Sequence, residues 1–388
     1  MRSTVIATIF ILGTIVTIGC QKNAPPKVDQ GGIIKIDLTQ EIPERPFVIN
    51  SITGDLRLIK LEANSNSYIK YFNGFIGKKY IISINQDKVI LFSSTGTYKC
   101  TIANYGKGPN DFIGIDGWDI DSEEKFLFFH DYGRTYINKY NLKTEKFEDN
   151  IPFKDKVRIT NLQLINDTNI CVLPYIYSGS EYLFYYQNLS GLITGGIKKE
   201  PTSHKGPWAG RSPVFSKGTD KSILFHPSES DTVFKIIGND LQPFISILNT
   251  EPQKKGNITT GTNVAFHAIS KNQIILRRIY FEIIQTDKTL GINSRKIEYL
   301  TFDTVQKVVS IINPFYLDYS GIRILCPTVV NFINDNQFVA IYQAADFKNF
   351  MDEALKKELD SKKRSLIMRL NEETSENDNP LIIVGTLN

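Results

Sequence analysis

The regular alternation of short β-rich segments and turns is the feature that most constrains this chain. Residues 89–94 and 98–103 are two such segments, and residues 95–97 join them as a hairpin. A turn rich in Gly and Pro follows at residues 106–112, and the same rhythm continues towards the end of the chain, giving roughly twenty short strands. The pattern predicts an all-β fold built from antiparallel hairpins.

Length then selects among all-β architectures. A sandwich or small barrel uses about 100–200 residues, whereas a propeller uses about 40–50 residues for each four-stranded blade. The chain has 388 residues, of which those from position 33 onwards carry the strand pattern. We therefore predict a six-bladed β-propeller over residues 33–388.

One helical insertion is predicted before the last strand. Apolar residues recur at helical spacing between positions 344 and 370, and residues 381–387 form a final β-rich segment. We expect one helix that packs on the rim, although an interaction or membrane-surface helix is the alternative. The last strand is expected to complete a blade begun by the N-terminal segment, which leaves no open sheet edge.

The N-terminus predicts export and a lipid anchor. Arg2 precedes an apolar run at residues 5–18, which is shorter than the roughly 20 residues of a membrane span. Thr17, Ile18 and Gly19 precede Cys20 as in a bacterial lipobox, so we predict a signal peptide at residues 1–19 and lipidation of Cys20. The alternative is an uncleaved anchor helix. Residues 20–32 have the composition of a flexible tether.

Composition excludes some classes of function. A formal net charge of +4, spread along the chain, does not predict a nucleic-acid partner. The other cysteines, Cys100, Cys171 and Cys326, form no C-x-x-C motif and are expected to be buried free thiols, with one disulfide as the alternative. Motifs for metals, nucleotides and other cofactors are absent from the sequence, so no cofactor is predicted.

Two groups of residues are candidates for ligand binding. His130 and Arg134 flank a turn and could bind a carboxylate or a sugar, with Arg134 as the fork and His130 as a donor. His204, Trp208 and Arg211 lie in a long Gly- and Pro-rich segment of the kind that carries binding residues on rigid scaffolds. The structural alternatives are an ordinary turn in the first case and a loop anchored by one buried Trp in the second.

The chain resembles the six-bladed propeller lipoproteins of Bacteroides and its relatives, which are loosely akin to NHL-repeat propellers. The matching features are Cys20 in its lipobox, the strand at residues 56–61 with Glu62, the hairpin at residues 89–112, the segment 229–234 and the segment 376–380. Asn110, Asp111 and Phe234 depart from the family pattern of Gly, Glu and Tyr. Because Gln21 follows the cysteine, resemblance to lipoprotein sorting favours the outer membrane.

The resemblance implies no molecular activity. The leading expectation is an envelope protein, held to a membrane through Cys20, that binds a glycan, a peptide or a partner protein. The alternative is a propeller hydrolase or lyase that acts on a sugar or lactone. Four histidines, far apart in the sequence, favour binding over catalysis.

Overall fold

The structure is a computed structural model that describes residues 32–153, 157–175, 179–199, 214–217, 223–227, 230–250, 252–270, 272–285, 290–327, 330–333, 337–358 and 360–387. Its strands follow one another in sheets of antiparallel hairpins. Neighbouring sheets contact each other at three places in the described chain, through β-strands 115–120 with 159–166, 214–217 with 258–269, and 258–269 with 330–333. Each of these strands is the first strand of a blade, except 258–269, which is the first long strand of the largest sheet. Sheets that contact one another in this way around a ring form a β-propeller.

The described elements run in this order along the chain. The N-terminal segment contains β1 (Ile34–Asp37), β2 (Glu44–Val48), a short 3-10 helix (Ile49–Ser51) and β3 (Arg57–Lys60). Blade 1 contains β4 (Gly74–Ile76), β5 (Tyr80–Ile84), β6 (Lys88–Ser93) and β7 (Tyr98–Asn104). Blade 2 contains β8 (Ile115–Ile120), β9 (Phe126–Asp131), β10 (Tyr136–Asn141), β11 (Lys146–Phe147) and β12 (Ile151–Pro152). Blade 3 contains β13 (Ile159–Asn166), β14 (Asn169–Pro174), β15 (Tyr182–Asn188) and β16 (Ile193–Lys198).

The second half of the chain completes the ring. Blade 4 contains β17 (Val214–Lys217), β18 (Ile223–His226), β19 (Thr232–Ile237) and β20 (Asp240–Leu248). A large sheet follows, with β21 (Gln253–Lys255), β22 (Ile258–Ile269), β23 (Gln273–Gln285), β24 (Leu290–Asp303), β25 (Val308–Tyr319) and β26 (Ile322–Leu325). Blade 5 contains β27 (Val330–Ile333), β28 (Gln337–Tyr342), the helices α1 (Ala344–Lys357) and α2 (Ser361–Glu372), and β29 (Leu381–Thr386).

The prediction of six blades is wrong, although the propeller fold itself is correct. Five of the described sheets have the four or five strands of a blade. The strands between blade 4 and blade 5 instead form, with β2, one sheet of seven strands, in which β22 to β25 are 12 to 14 residues long. Strands β23 and β24 remain paired at polar positions, for example where Glu282 lies opposite Asn293.

The prediction of one helical insertion is also wrong, because two helices lie between β28 and β29. The chain leaves α1 at Glu358 in an extended conformation, and the Asp360 side chain then accepts hydrogen bonds from the amides of Lys362 and Lys363. An Asp that caps the first turn in this way begins a new helix. Within the described residues, no helix is long and apolar enough to span a membrane.

Apolar clusters between successive sheets hold the ring together. In β6, Val89 and Leu91 belong to the cluster shared with blade 2, whereas Ile90 and Phe92 belong to the cluster shared with blade 5. Since successive side chains of a strand point to opposite faces, a strand packed on both sides is apolar at every position. Phe347 and Met351 of α1 pack in the same way against the cluster between the large sheet and blade 5.

The N-terminal segment follows the outer edges of three successive sheets. Strand β1 pairs in parallel with β20 of blade 4, β2 pairs in parallel with β25 of the large sheet, and β3 pairs with β29 of blade 5. The predicted pairing of the last strand with an N-terminal strand is therefore present. Three outer edges that would otherwise expose unpaired backbone groups are covered by one stretch of chain.

Candidate functional site

The predicted pair of His130 and Arg134 lies at the end of β9, and the structure binds His130 into the scaffold. His130 is buried, with its Nδ1 atom 2.7 Å from Asp116 Oδ1 and its Nε2 atom 3.2 Å from the Arg134 carbonyl oxygen. Asp116 also accepts a hydrogen bond from the Ile159 amide of blade 3, at 3.0 Å. Both ring nitrogens of His130 thus have partners within blade 2, and Asp116 links this group to blade 3.

Arg134 is held by the turn in which it lies. Its Nε atom donates to Asp131 Oδ2 at 3.2 Å, and its Nη2 atom donates to the Gly108 carbonyl oxygen at 3.3 Å. The other oxygen of the buried Asp131 accepts from the amides of Ile113 and Gly114. A ligand role for His130 and Arg134 stays a prediction, since it would require a ligand to compete with these contacts.

The other two described histidines also connect neighbouring sheets. His226 is the last residue of β18, and its Nε2 atom is 2.8 Å from the carbonyl oxygen four residues later, at Ser230. Its Nδ1 atom accepts from the Phe266 amide of the large sheet at 3.4 Å. His267 lies 3.2 Å from the Val330 carbonyl oxygen of blade 5, and burial lowers its pKa to about 4.

The remaining predicted site residues are outside the described part of the chain. These are Cys20 in the N-terminal segment and His204, Trp208 and Arg211 between β16 and β17. The other three cysteines are free thiols, and Cys171 and Cys326 are buried. Burial raises the pKa of the Cys100, Cys171 and Cys326 thiols, which makes them poor nucleophiles at neutral pH. In the described residues, no group of three or more His, Cys, Asp and Glu side chains could hold a metal ion.

One face of the ring collects loops from several sheets, and we call it the upper face. In an antiparallel four-stranded blade, the loop between the second and third strands and the loop leading to the next blade leave from the same end. Hydrogen bonds join these loops along blades 5, 1, 2 and 3. The contacts join Asn379 Oδ1 with Ile69 N, Lys88 Nζ with Asn66 O, Tyr105 N with Asp87 O, Tyr132 N with Gly114 O, and Tyr175 N with Arg158 O.

Exposed tyrosines are concentrated on the upper face. Tyr68, Tyr71, Tyr105 and Tyr132 expose 51%, 60%, 63% and 52% of their surface, and no other aromatic residue with a described side chain is as exposed. Arg158 places its guanidinium 5.4 Å from the rings of both Tyr132 and Tyr175, and Lys70 Nζ lies 5.3 Å from the Tyr71 ring. We call this surface the tyrosine face, made of Tyr68, Lys70, Tyr71, Tyr105, Lys107, Tyr132, Arg158 and Tyr175.

Sequence reasoning missed the tyrosine face because its residues come from five separate connections between strands. A local signal was present in two of them, where Lys70 precedes Tyr71 and Lys107 follows Tyr105 two residues later, in segments between strands. Asp116 and Asp119 of β8 accept hydrogen bonds from backbone amides of β13 in blade 3.

Comparison with known protein families identifies the chain. A family model described as a domain of unknown function, DUF4934, matches residues 33–386. The chain belongs to this family. Comparison of this DUF4934 protein with curated proteins gives no match.

Two solved structures are similar to this DUF4934 protein. One is the crystal structure of a Bacteroides fragilis protein predicted to be exported, with a TM-score of 0.61, 13% identity, and coverage of 92% of this chain and 99% of that one. Another is a DUF4221 family member from Bacteroides vulgatus, with a TM-score of 0.48, 10% identity, and coverage of 87% and 96%. The first similarity confirms the propeller fold, while the likeness to NHL-repeat propellers stays a prediction.

Proposed function

We propose that this DUF4934 protein is a binding module of the bacterial cell envelope. A lipid on Cys20 anchors it to a membrane, with the outer membrane favoured by Gln21, and the tyrosine face holds its ligand. The ligand is a glycan, a peptide or a partner protein. The lipobox and the flexible tether of the sequence support the anchor.

The single observation that carries the binding role is the concentration of exposed tyrosines on one face. Tyr68, Tyr71, Tyr105 and Tyr132 present large rings to solvent, although the propeller buries most of its other aromatic side chains at least in part. A Tyr ring has an apolar body and a polar tip, and exposed groups of such residues mark binding surfaces. Loops on a rigid scaffold are also where binding residues are usually found.

The state of the histidines supports binding over the hydrolase or lyase alternative. A general base needs a ring nitrogen that can reach the substrate proton. His226 and His267 each have a ring nitrogen hydrogen-bonded to a neighbouring sheet, and both ring nitrogens of His130 have partners within blade 2. Structural hydrogen bonds within the propeller therefore explain the presence of these three histidines.

A matched pair of triple variants tests the proposal. In the first, Tyr71→Ala, Tyr105→Ala and Tyr132→Ala remove three rings of the tyrosine face. In the second, Leu192→Ala, Ile237→Ala and Val305→Ala remove three exposed apolar side chains at the turns between third and fourth strands, which leave the sheets at the opposite end. Retention of the full chain is measured on immobilised neutral polysaccharides, acidic polysaccharides and a peptide library.

We expect the wild-type chain to bind at least one of these probes. Loss of the tyrosines should weaken that binding at least about tenfold, as hot-spot aromatic residues do. The variant at the opposite end should bind as the wild type does. Equal binding by both variants, or retention of the wild type by none of the probes, contradicts the proposal.

A further inference from the structure

We infer that the tyrosine face binds an acidic polysaccharide, a chain of sugar rings that carries a carboxylate or sulfate at regular intervals. This inference rests on the proposed binding role of the same face and adds the chemistry of the ligand. Three features support the inference. Cations lie between the tyrosines, pairs of a cation and a tyrosine repeat around the ring, and the tyrosines are exposed on an open surface.

The cations of the tyrosine face have no carboxylate partner among the described residues. Lys70 and Arg158 lie over tyrosine rings, and Lys107 is exposed in the loop that contains Tyr105. Salt bridges of the described chain include none of the three. A cation held over an aromatic ring stays able to bind an anion through its remaining N–H groups.

Several carboxylates in the loops of the upper face accept hydrogen bonds from the chain itself. Asp111 accepts from the Gly108 amide, Asp131 accepts from two amides and from Arg134, and Glu62 accepts from the Tyr98 amide. Asp87 and Glu376 are exposed carboxylates in neighbouring loops. The eight residues that define the tyrosine face include three cations and no carboxylate, which favours an anionic ligand.

The same combination of a cation and a tyrosine recurs at successive junctions between blades. Lys70 and Tyr71 precede β4 at the junction of blades 5 and 1, and Tyr105 and Lys107 lie between blades 1 and 2. Tyr132, Arg158 and Tyr175 form the third unit, between blades 2 and 3. A receptor with repeated units suits a ligand with repeated units, so we favour a polysaccharide over a peptide.

Four tyrosines of the tyrosine face expose more than half of their surface to solvent. Two cavities of the described chain have volumes of about 490 and 350 Å³, and none of the tyrosines of the face lines either of them. Small ligands usually occupy a cavity that encloses most of their surface. A polymer instead lies across an open surface, where each sugar ring stacks on one tyrosine and each acidic group meets one cation.

The test compares polygalacturonate with the same polymer after methyl esterification, which removes its charge and keeps its rings. Binding of the full chain is measured by titration calorimetry, with chondroitin sulfate as a sulfated probe. We expect the Arg158→Gln variant to lose about tenfold in affinity for the acid form, and the Lys70→Gln, Lys107→Gln and Arg158→Gln triple variant to lose more. The matched control is Arg323→Gln, which removes an arginine that lies 5.7 Å from the Tyr316 ring and outside the tyrosine face.

Each outcome separates this inference from the proposed function. If the esterified polymer binds as tightly as the acid form, or if a peptide probe requires the tyrosines while acidic polymers do not bind, the face is a binding site and the acidic ligand is wrong. If Arg323→Gln weakens binding as much as Arg158→Gln, the attraction is non-specific and the inference is again wrong. If acidic polymers bind but neither the tyrosine nor the cation variants change the affinity, both proposals fail.

Discussion

At the scale of single residues, His267 links the stability of the ring to pH. Its ring is enclosed between the large sheet and blade 5, donates to the Val330 carbonyl oxygen, and faces Arg277 and Tyr299. Burial, and then the charge of Arg277, lowers the pKa of His267 from 6.5 to about 4. Between these two pH values the unfolded chain binds a proton at this position and the folded chain does not, so protonation favours unfolding.

We therefore predict that His267 costs stability as the pH falls through this window. The free energy of unfolding should decrease by at most about 3 kcal/mol from this residue between about pH 7 and about pH 4. Urea denaturation of the wild type and of His267→Gln, which keeps a donor but does not titrate, measures the effect. The variant should show a flatter dependence on pH, and parallel curves for the two proteins would contradict the assignment.

At the scale of elements, Asn379 fixes the loop that carries the first unit of the tyrosine face. Asn379 is fully buried just before β29, and its Oδ1 atom accepts from the Ile69 amide at 2.8 Å. Its Nδ2 group donates to the carbonyl oxygens of Glu62 and Ser67 at 2.8 and 3.0 Å. One side chain thus satisfies three backbone groups of the segment that joins blade 5 to blade 1.

We predict that Asn379→Ala destabilises the protein by about 3 kcal/mol, because buried backbone groups lose their partners. The same change should weaken ligand binding, since Tyr68 and Tyr71 lie in the segment that it releases. Urea denaturation and binding to polygalacturonate measure the two effects. Asn377→Ala is the control. Asn377 is exposed, and its backbone amide donates to Ser375 Oγ, a contact that the substitution keeps. Equal stability of the two variants would contradict this role of Asn379.

Elements were predictable from the sequence where local patterns and turns agreed. The hairpin predicted at residues 89–94 and 98–103 is β6 and β7, within one residue at each end, because apolar strands flank a Thr-Gly-Thr turn. The single helix predicted at residues 344–370 was wrong, since the apolar spacing continues through Asp360 while its side chain begins a second helix. The hydrophobic period carries no information on whether such an Asp caps a helix or faces solvent.

At the scale of the whole molecule, the sequence predicted the propeller and not the large sheet. The pattern of short strands does not predict that β23 and β24 pair along their whole length, from Gln273 with Asp303 to Gln285 with Leu290. The tyrosine face was also not predictable, since ring closure brings together Tyr71, Tyr105 and Arg158, which have no constant spacing in the sequence. Such contacts between distant segments are not encoded in the pattern of a single strand.

The path of the N-terminal segment predicts how the proposed lipid anchor would orient the molecule. Strand β20 is the fourth strand of blade 4 and runs towards the upper face, and β1 pairs with it in parallel. The N-terminal end of β1, where the tether joins the ring, is therefore directed towards the opposite face. If residues 20–32 form the tether predicted from their composition, a flexible chain of this length spans a root-mean-square distance of about 20 Å. We predict that a lipid on Cys20 holds the lower side of the ring near the membrane and turns the tyrosine face away from it.

Fluorescence quenching in vesicles tests this orientation with the lipidated full chain. A fluorophore is attached to Ile113→Cys on the upper face or to Val305→Cys in the turn between β24 and β25, two exposed apolar positions. The raised thiol pKa values of Cys100, Cys171 and Cys326 favour selective labelling of the new cysteine. Lipids with a quencher on the headgroup should quench the label at position 305 more strongly than the label at position 113. Stronger quenching at position 113 would contradict the orientation, and a Cys20→Ala variant that still binds vesicles would contradict the anchor.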